Sequence, residues 1–221
     1  MPAGYHPPLE EYLEAIHELE EEGTQVIQAR LAERVGHSAP AVSETIRRLK
    51  ADGYVTVEDR AVHLTGKGRA RAESVVRKHR LAELLLTEVI GLPWHKAHLE
   101  ACRWEHVISD EVEGRLVELL GHPTTCPHGN PIPGSGAPVV PNQVALSSVQ
   151  GGEHVRLRRV TEQVEIDLEA LAYLSEAGFI PGADATVTSR APDGTLTLAL
   201  GERSLALGPA LAQQLYVTSR V

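Results

Sequence analysis

The run His98-Leu99-Glu100-Ala101-Cys102-Arg103-Trp104-Glu105-His106 restricts the fold more than any other stretch of this chain. Wound as a helix, it carries residues 98, 102, 105 and 106 on one face, because side chains three and four positions apart stack over one another. That face presents two imidazoles, a thiol and a carboxylate, all ligands for a transition metal. His79 and Glu83 show the same four-residue spacing one predicted helix earlier. A fold that uses these groups together must pack two helices so that six donors point inward, which indicates metal handling. Singly, each group has an ordinary reading. A His and a Glu four apart often decorate an exposed helix, and a lone Cys is often a small core residue. Four ligand types on one stripe are what set this run apart. The remaining histidines (His6, His17, His37, His63, His95, His122, His128 and His154) read as surface or packing residues, and Cys126 as incidental.

Mixed nitrogen, oxygen and sulfur donors favour a first-row ion such as Fe²⁺, Mn²⁺, Co²⁺, Ni²⁺ or Zn²⁺ over Mg²⁺ or Ca²⁺. Structural zinc usually takes more than one thiolate.

The chain is 42% hydrophobic but only 4% aromatic, so its cores must be built mainly from Leu, Val, Ala and Ile. No run of eighteen apolar residues occurs, which argues against a membrane span. The first residues, Met1 to His6, lack the basic start and apolar stretch of a signal peptide. A thiol among histidines and carboxylates is expected to be reduced, which places the protein in the cytoplasm. The net charge of −9 is unevenly spread: residues 24–81 hold twelve Lys and Arg against six Asp and Glu. The rest of the chain is strongly acidic. Such segregation suits one basic functional face on an acidic body.

That basic stretch reads as a winged helix-turn-helix. Glu10–Glu22 has Leu13, Ile16 and Leu19 on a helical face and stops at Gly23. Gln28–Val35 is a short helix ended by Gly36. Ser38 is a good N-cap for the next helix, and Pro40 is tolerated because first-turn amides have no intrahelical partner. Tyr54–Val57 and Ala61–Leu64 flank Glu58-Asp59-Arg60 as a hairpin. In this geometry Ser38, Pro40, Ala41, Ser43 and Glu44 open the helix that enters the major groove. Arg47, Arg48, Lys50 and Arg60 face phosphates. Glu44 is costly near phosphates unless it accepts from a cytosine amine. So few short side chains read sequence weakly, so a homodimer on an inverted repeat of double-stranded DNA is expected. A three-helix module for protein contact is the alternative.

Further along, a helix is predicted from Gly66 to Ile90, broken by Gly91-Leu92-Pro93. A ligand-bearing helix over Trp94–Ser109 follows, and another over Asp110–Leu120. Residues 121–152 contain six of the fourteen prolines and read as a linker outside the core. Strands over Val155–Val160, Ala185–Ser189, Leu196–Leu200, Ser204–Leu207 and Leu215–Thr218, with a helix over Asp167–Ala177, form a small β-rich unit. The expected fold is mainly α with a small β part. Residues 1–73 are the DNA-binding domain, 74–140 the helical metal-binding and dimerisation domain, and 153–221 the β domain.

Several segments resemble the diphtheria-toxin repressor family of iron- and manganese-dependent transcriptional regulators. They are Ala101–Glu113, Arg77–Glu83, Gly129–Gly134 and the helix-turn-helix itself. The resemblance covers most of residues 8–134 and is weaker over 153–221, where it implies an SH3-like β-barrel. It implies two metal sites per subunit. The primary site takes Cys102, Glu105 and His106, completed from the first helix by Glu11. The ancillary site takes His79, Glu83 and His98. Iron-type members offer a thioether at the first-helix position. Glu11 and Glu14 match instead the manganese-responsive branch, which carries a carboxylate where this chain has Cys102. The pocket is thus a hybrid. Its hard first-helix oxygens tilt the expectation slightly to Mn²⁺, and Cys102 pulls towards Fe²⁺. From the third domain, the resemblance implies Asp167 as a carboxylate ligand and puts an amide position at Ala170, which cannot ligate. The implied function is metal-activated repression of metal-uptake genes. His79→Ala is expected to weaken activation less than His106→Ala.

Other classes fit less well. A di-metal helical-bundle enzyme needs Glu-x-x-His pairs on two helices, whereas Glu105 and His106 are adjacent. A winged-helix regulator with an organic effector and a structural metal is the other alternative. Hydrolase signatures are missing: no Gly-x-Ser-x-Gly elbow and no phosphate-binding glycine loop occurs.

Overall fold

A computed structural model describes residues 8–138 and 140–220. The first residues, Met1 to His6, considered above lie outside the described residues.

The reading head begins with α1 (Pro8–Glu21), α2 (Gln28–Val35) and α3 (Ala39–Ala51). Gly36 ends α2 in the left-handed region at φ 68°, and Ser38 Oγ caps α3 by accepting from the Ala41 amide. The wing is β1 (Val55–Glu58) paired antiparallel with β2 (Ala61–Leu64). Its two-residue turn has positive φ at both Asp59 (47°) and Arg60 (68°), the hairpin geometry whose twist matches the flanking strands. Tyr12, Leu13, Ile16, Leu31, Ile46 and Leu49 are fully buried in the core of this head.

The body starts with α4 (Gly66–Leu84), capped by Thr65. The expected helix to Ile90 changes its hydrogen bonding after Leu84. Over Leu85–Val89 it widens into a π-turn, closed by the Ile90 amide on the Leu85 carbonyl at 3.0 Å. The Thr87 hydroxyl donates to the Glu83 carbonyl at 2.9 Å, a side-chain bond that competes with the regular ladder at that turn. The ligand-bearing helix is also shorter than expected. A 3₁₀ turn over Trp94–Lys96 leads into α5 (Ala97–Trp104), and α6 (Asp110–Leu119) follows a Ser109 cap.

The C-terminal unit is a six-stranded antiparallel sheet. It contains β3 (Val144–Ala145), β4 (His154–Val160), β5 (Asp184–Arg190), β6 (Leu196–Leu200), β7 (Arg203–Leu207) and β8 (Leu215–Arg220). The strand order β3-β8-β4-β5-β6-β7 leaves β3 and β7 as edges, so the expected SH3-like barrel is not closed. Short helices α7 (Glu162–Glu165), α8 (Leu168–Ala177) and α9 (Pro209–Gln213) flank it. Its core centres on Leu146, Leu157, Leu171, Leu174 and Phe179.

The proline-rich stretch departs from the expected linker outside the core. Cys126, His128, Asn130 and Ile132 are buried. The turn they form lies against β4: the Val160 amide donates to the His128 carbonyl at 3.0 Å, and Asn130 Nδ2 donates to the Val160 carbonyl at 3.0 Å. Gly129 stands there at φ 87°, and a Cβ on it would meet the Arg158 carbonyl oxygen at 1.9 Å. Glycine is thus required on both conformational and steric grounds.

Candidate metal centre

Three elements of the body and head converge at the junction of α1, α4 and α5. α4 supplies His79 and Glu83 four residues apart on its buried face, and α5 supplies His98 and Cys102 at the same spacing. Glu105 is the C-cap of α5 and His106 lies in the turn beyond it, so the four-residue stripe expected on one helix is divided between a helix and its end. The groups still converge. His79 Nδ1 lies 2.5 Å from Glu105 Oε2, and His79 Nε2 lies 3.1 Å from both Glu83 Oε1 and His98 Nδ1. Cys102 Sγ lies 3.4 Å from His98 Nε2. Glu105 Oε1 lies 3.0 Å from His106 Nε2.

α1 closes the pocket from the reading head. Glu14 offers a carboxylate oxygen within 4.8 Å of ligand atoms of His79 and Glu105. Glu11 lines the same cavity of about 130 Å³, together with Glu18, Cys102 and Glu162. Glu10, which the sequence reading passed over, lies with its Oε2 2.6 Å from His106 Nδ1 and also pairs with Arg71.

From the C-terminal unit, Asp167 does not reach the pocket. Its Oδ1 accepts from the Glu169 and Ala170 amides as the N-cap of α8, a local use that holds the carboxylate at the helix start. Glu162 and Glu165 on α7 reach the pocket instead. Their carboxylate oxygens lie 3.1 Å and 3.3 Å from His98 Nδ1. In the sequence Glu165 is marked only by lying close to Asp167, and Glu162 by nothing, because both precede the predicted helix over Asp167–Ala177. Cys126 and His128 were likewise missed, because a Cys-x-His step in a proline-rich stretch has no helical periodicity. His128 Nδ1 lies 3.0 Å from Glu83 Oε1 and 3.2 Å from Glu165 Oε2.

The electrostatics of the pocket are those of protons held in place of cations. Burial alone would depress His79, but Glu83, Cys102 and Glu105 outweigh it and hold the imidazolium well above the ordinary histidine range. His98 is raised in the same way by Cys102 and Glu162. Burial would lift Glu83, yet His128 and His79 keep it well below the usual carboxylate range. Against burial, His98 and His79 lower the Cys102 thiol, and His106 and His79 lower Glu105. Glu14 goes the other way: burial, then the neighbouring Glu105 and Glu18, hold it well above the usual range. Burial and the nearby Glu83 and Glu165 push the Cys126 thiol well up.

The residues fit a divalent cation. Imidazole, thiol and carboxylate are the right donor types. In addition, Glu83 Oε2 is buried without a hydrogen-bond partner among the described residues, an arrangement that costs about 1–3 kcal/mol when nothing binds there.

The second functional surface is the head. Ser38, Pro40, Ala41, Glu44, Arg47, Arg48, Lys50 and Arg60 are exposed and Ser43 is half-buried. Glu44 pairs with Arg47 one turn on, which offsets its charge near a phosphate backbone. Arg48 Nε lies 4.0 Å from Asp52. Among the described residues no helix is long and apolar enough to cross a membrane.

A winged reading head joined through its first helix to a buried metal-ligand cluster defines a metal-responsive DNA-binding regulator. Comparison with known proteins gives the family. Residues 6–62 match the iron-dependent repressor N-terminal DNA-binding domain, and residues 65–134 its metal-binding and dimerisation domain. Residues 144–219 match the FeoA domain. The iron-dependent repressor IdeR of Mycobacterium tuberculosis is 46% identical over 220 residues, covering 94% of this chain and 95% of the relative. The diphtheria toxin repressor of Corynebacterium diphtheriae is 41% identical over 217 residues, covering 94% and 95%. A solved manganese-dependent transcriptional repressor in complex with manganese superposes with a TM-score of 0.86 at 32% identity, covering 96% of this chain and all of the other. The chain belongs to the diphtheria-toxin repressor family of iron- and manganese-dependent repressors. Membership in a family of repressors sets aside the di-metal enzyme alternative.

Proposed function

We propose that this protein is a cytoplasmic, homodimeric repressor of metal-uptake genes that reads an inverted-repeat operator when Mn²⁺, or secondarily Fe²⁺, is bound. Two sites per subunit are proposed. The primary site uses Glu11, Glu14, Cys102, Glu105 and His106. The ancillary site uses His79, Glu83 and His98, with Glu162 and Glu165 in the place first assigned to Asp167. Proposed domains are 1–73, 74–140 and 153–221, the first boundary lying within α4, which head and body share.

One observation carries the reading. Glu14, on the first helix of the DNA-reading head, shares a buried ligand cluster with His79 of α4 and Glu105 at the end of α5. Bound there, a divalent cation supplies the positive charge that lets these carboxylates face one another and ties α1 to the body. Without that charge, burial and the neighbouring Glu105 and Glu18 disfavour the ionised form of Glu14 and hold it well above the usual carboxylate range, so the head is held less firmly. The angle of α1 sets where α3 points, because both share the core around Tyr12, Ile16 and Ile46. In the active dimer the two α3 helices are spaced for successive major-groove faces, about 34–36 Å apart. Ser38, Pro40, Ala41, Ser43 and Glu44 meet base edges while Arg47, Arg48, Lys50 and Arg60 meet phosphates. Metal and DNA affinities must then strengthen each other by one common factor.

The test uses protein stripped by chelation and an operator selected from a random duplex pool with Mn²⁺ present. Binding is expected to need metal and to be reversed by chelator. Equal affinity of the stripped and loaded protein overturns the reading.

A further inference from the structure

Glu10 is buried in the first turn of α1, one residue before Glu11, and neither site above uses it. Its Oε2 lies 2.6 Å from Nδ1 of His106, 96 residues further along the chain. Arg71 of α4 donates to its other oxygen. The ordinary reading of such a contact is an ion pair that fastens α1 to the body. Pairs that touch no proposed ligand already do that work: Arg69 of α4 donates to Glu20 at 2.7 Å, and Arg80 to Glu21 at 2.7 Å. Glu10 differs from them because it takes the ring of a residue that the primary site needs.

The His106 ring is engaged at both nitrogens. Nε2 lies 3.0 Å from Glu105 Oε1, beside the primary-site carboxylate, and Nδ1 faces Glu10. A neutral imidazole that gives one nitrogen to a cation carries its proton on the other, and that proton needs an acceptor. In metal sites a carboxylate regularly serves, and it sets the tautomer, the ring orientation and the basicity of the ligand. Glu10 has the geometry for this, and Arg71 keeps its carboxylate from turning away. The His106 side chain is 3% exposed, so water is a poor substitute acceptor.

We propose that Glu10 is a positioning residue of the primary site: it accepts the Nδ1 proton of His106, turns Nε2 towards the cation and couples the occupied site to α1 without touching the ion. The inference rests on His106 being a metal ligand, as proposed above. It gives the head a second tie of a different kind. Glu11 and Glu14 offer their oxygens to the ion itself, whereas Glu10 senses it through the imidazole. Occupation of Nε2 fixes the proton on Nδ1 and so secures the bond between α1 and the turn after α5. By linkage, that bond raises metal affinity in return.

The measure is Mn²⁺ affinity of the full chain without DNA, taken by competition with a fluorescent chelator; the binding step weakened in His106→Ala is the one read. Glu10→Ala is expected to weaken that step by about 10–100-fold. Glu10→Gln keeps an acceptor for the Nδ1 proton and should lose less. Glu20→Ala breaks the comparable pair with Arg69 and should leave the affinity unchanged. Nitrogen NMR of labelled histidines in the Zn²⁺-loaded wild type needs no variant to fold: His106 is expected to hold its proton on Nδ1, in slow exchange with water. A folded Glu10→Ala protein with wild-type affinity, an equal loss in Glu20→Ala, or a His106 proton found on Nε2 overturns the proposal. Unchanged Mn²⁺ binding by His106→Ala removes the primary site as drawn and this inference with it, whereas a loss in His106→Ala with none in Glu10→Ala removes this inference alone.

Discussion

Glu105→Gln separates the charge of the pocket from its shape. The carboxylate is 3% exposed and lies against two imidazoles, His79 at 2.5 Å and His106 at 3.0 Å. The amide keeps the volume and one acceptor but removes the negative charge. Breaking a buried, hydrogen-bonded charge pair costs about 3–5 kcal/mol, and the surviving acceptor puts this case at about 3 kcal/mol. For a chain of this length that is a fall in Tm of roughly 6–12 °C in the metal-free protein. The loss must also depend on pH. His79 is raised above its ordinary value, so its contribution is complete below about pH 6.5 and fades as pH rises through the folded value. Glu105 is lowered, so its contribution is complete above about pH 4.3 and is lost only in stronger acid. Thermal melts of metal-free wild type and variant should therefore differ most near pH 6, with the gap narrowing towards pH 9. In parallel, the Mn²⁺ midpoint for operator binding, followed by fluorescence anisotropy, should rise at least tenfold, a loss of about 1.4 kcal/mol. Equal melting at pH 6 together with an unmoved Mn²⁺ midpoint would refute the reasoning, because a central carboxylate cannot be removed from both roles without effect.

Three further outcomes are expected. His79→Ala should raise the metal midpoint for DNA binding more than His106→Ala, reversing the order expected from sequence, because His79 shares ligand groups with Glu83 and His98, with Cys102, and with Glu14 and Glu105, whereas His106 contacts Glu105 and Glu10; titrations of the two variants decide. Asp167→Ala should cost about 1 kcal/mol as a lost helix cap and leave the metal midpoint unchanged, whereas Glu165→Gln should shift that midpoint at least tenfold; melts and titrations of the pair would expose a wrong assignment of the third-domain ligand. Metal binding near pH 7 should release protons, since His79, His98 and Glu14 are all held above their ordinary values in the metal-free pocket; the apparent affinity should rise with pH above about 6.5, and calorimetry in buffers of different ionisation enthalpy that detected no proton release would contradict this.

What the sequence determined by itself was everything set by local periodicity and capping. The Gly36 turn, the Ser38 cap, the Asp59–Arg60 hairpin and the C-terminal strands are fixed by neighbours within a few residues, and the structure has them close to where the pattern put them. The His79/Glu83 and His98/Cys102 pairs were legible for the same reason, because a four-residue step fixes a helical face. The tertiary structure decided what lies across the pocket. Helical spacing could not say that α5 ends at Trp104, where Glu105 and His106 leave the helix and turn towards α1. It could not exchange Asp167 for Glu162 and Glu165, since all three are carboxylates near one helix start and only packing of α7 against His98 selects between them. Nor could it bring Cys126 and His128 to Glu83. Those contacts span more than forty residues of chain, and they exist because an aperiodic turn is pinned to a β-strand rather than because of any pattern around it.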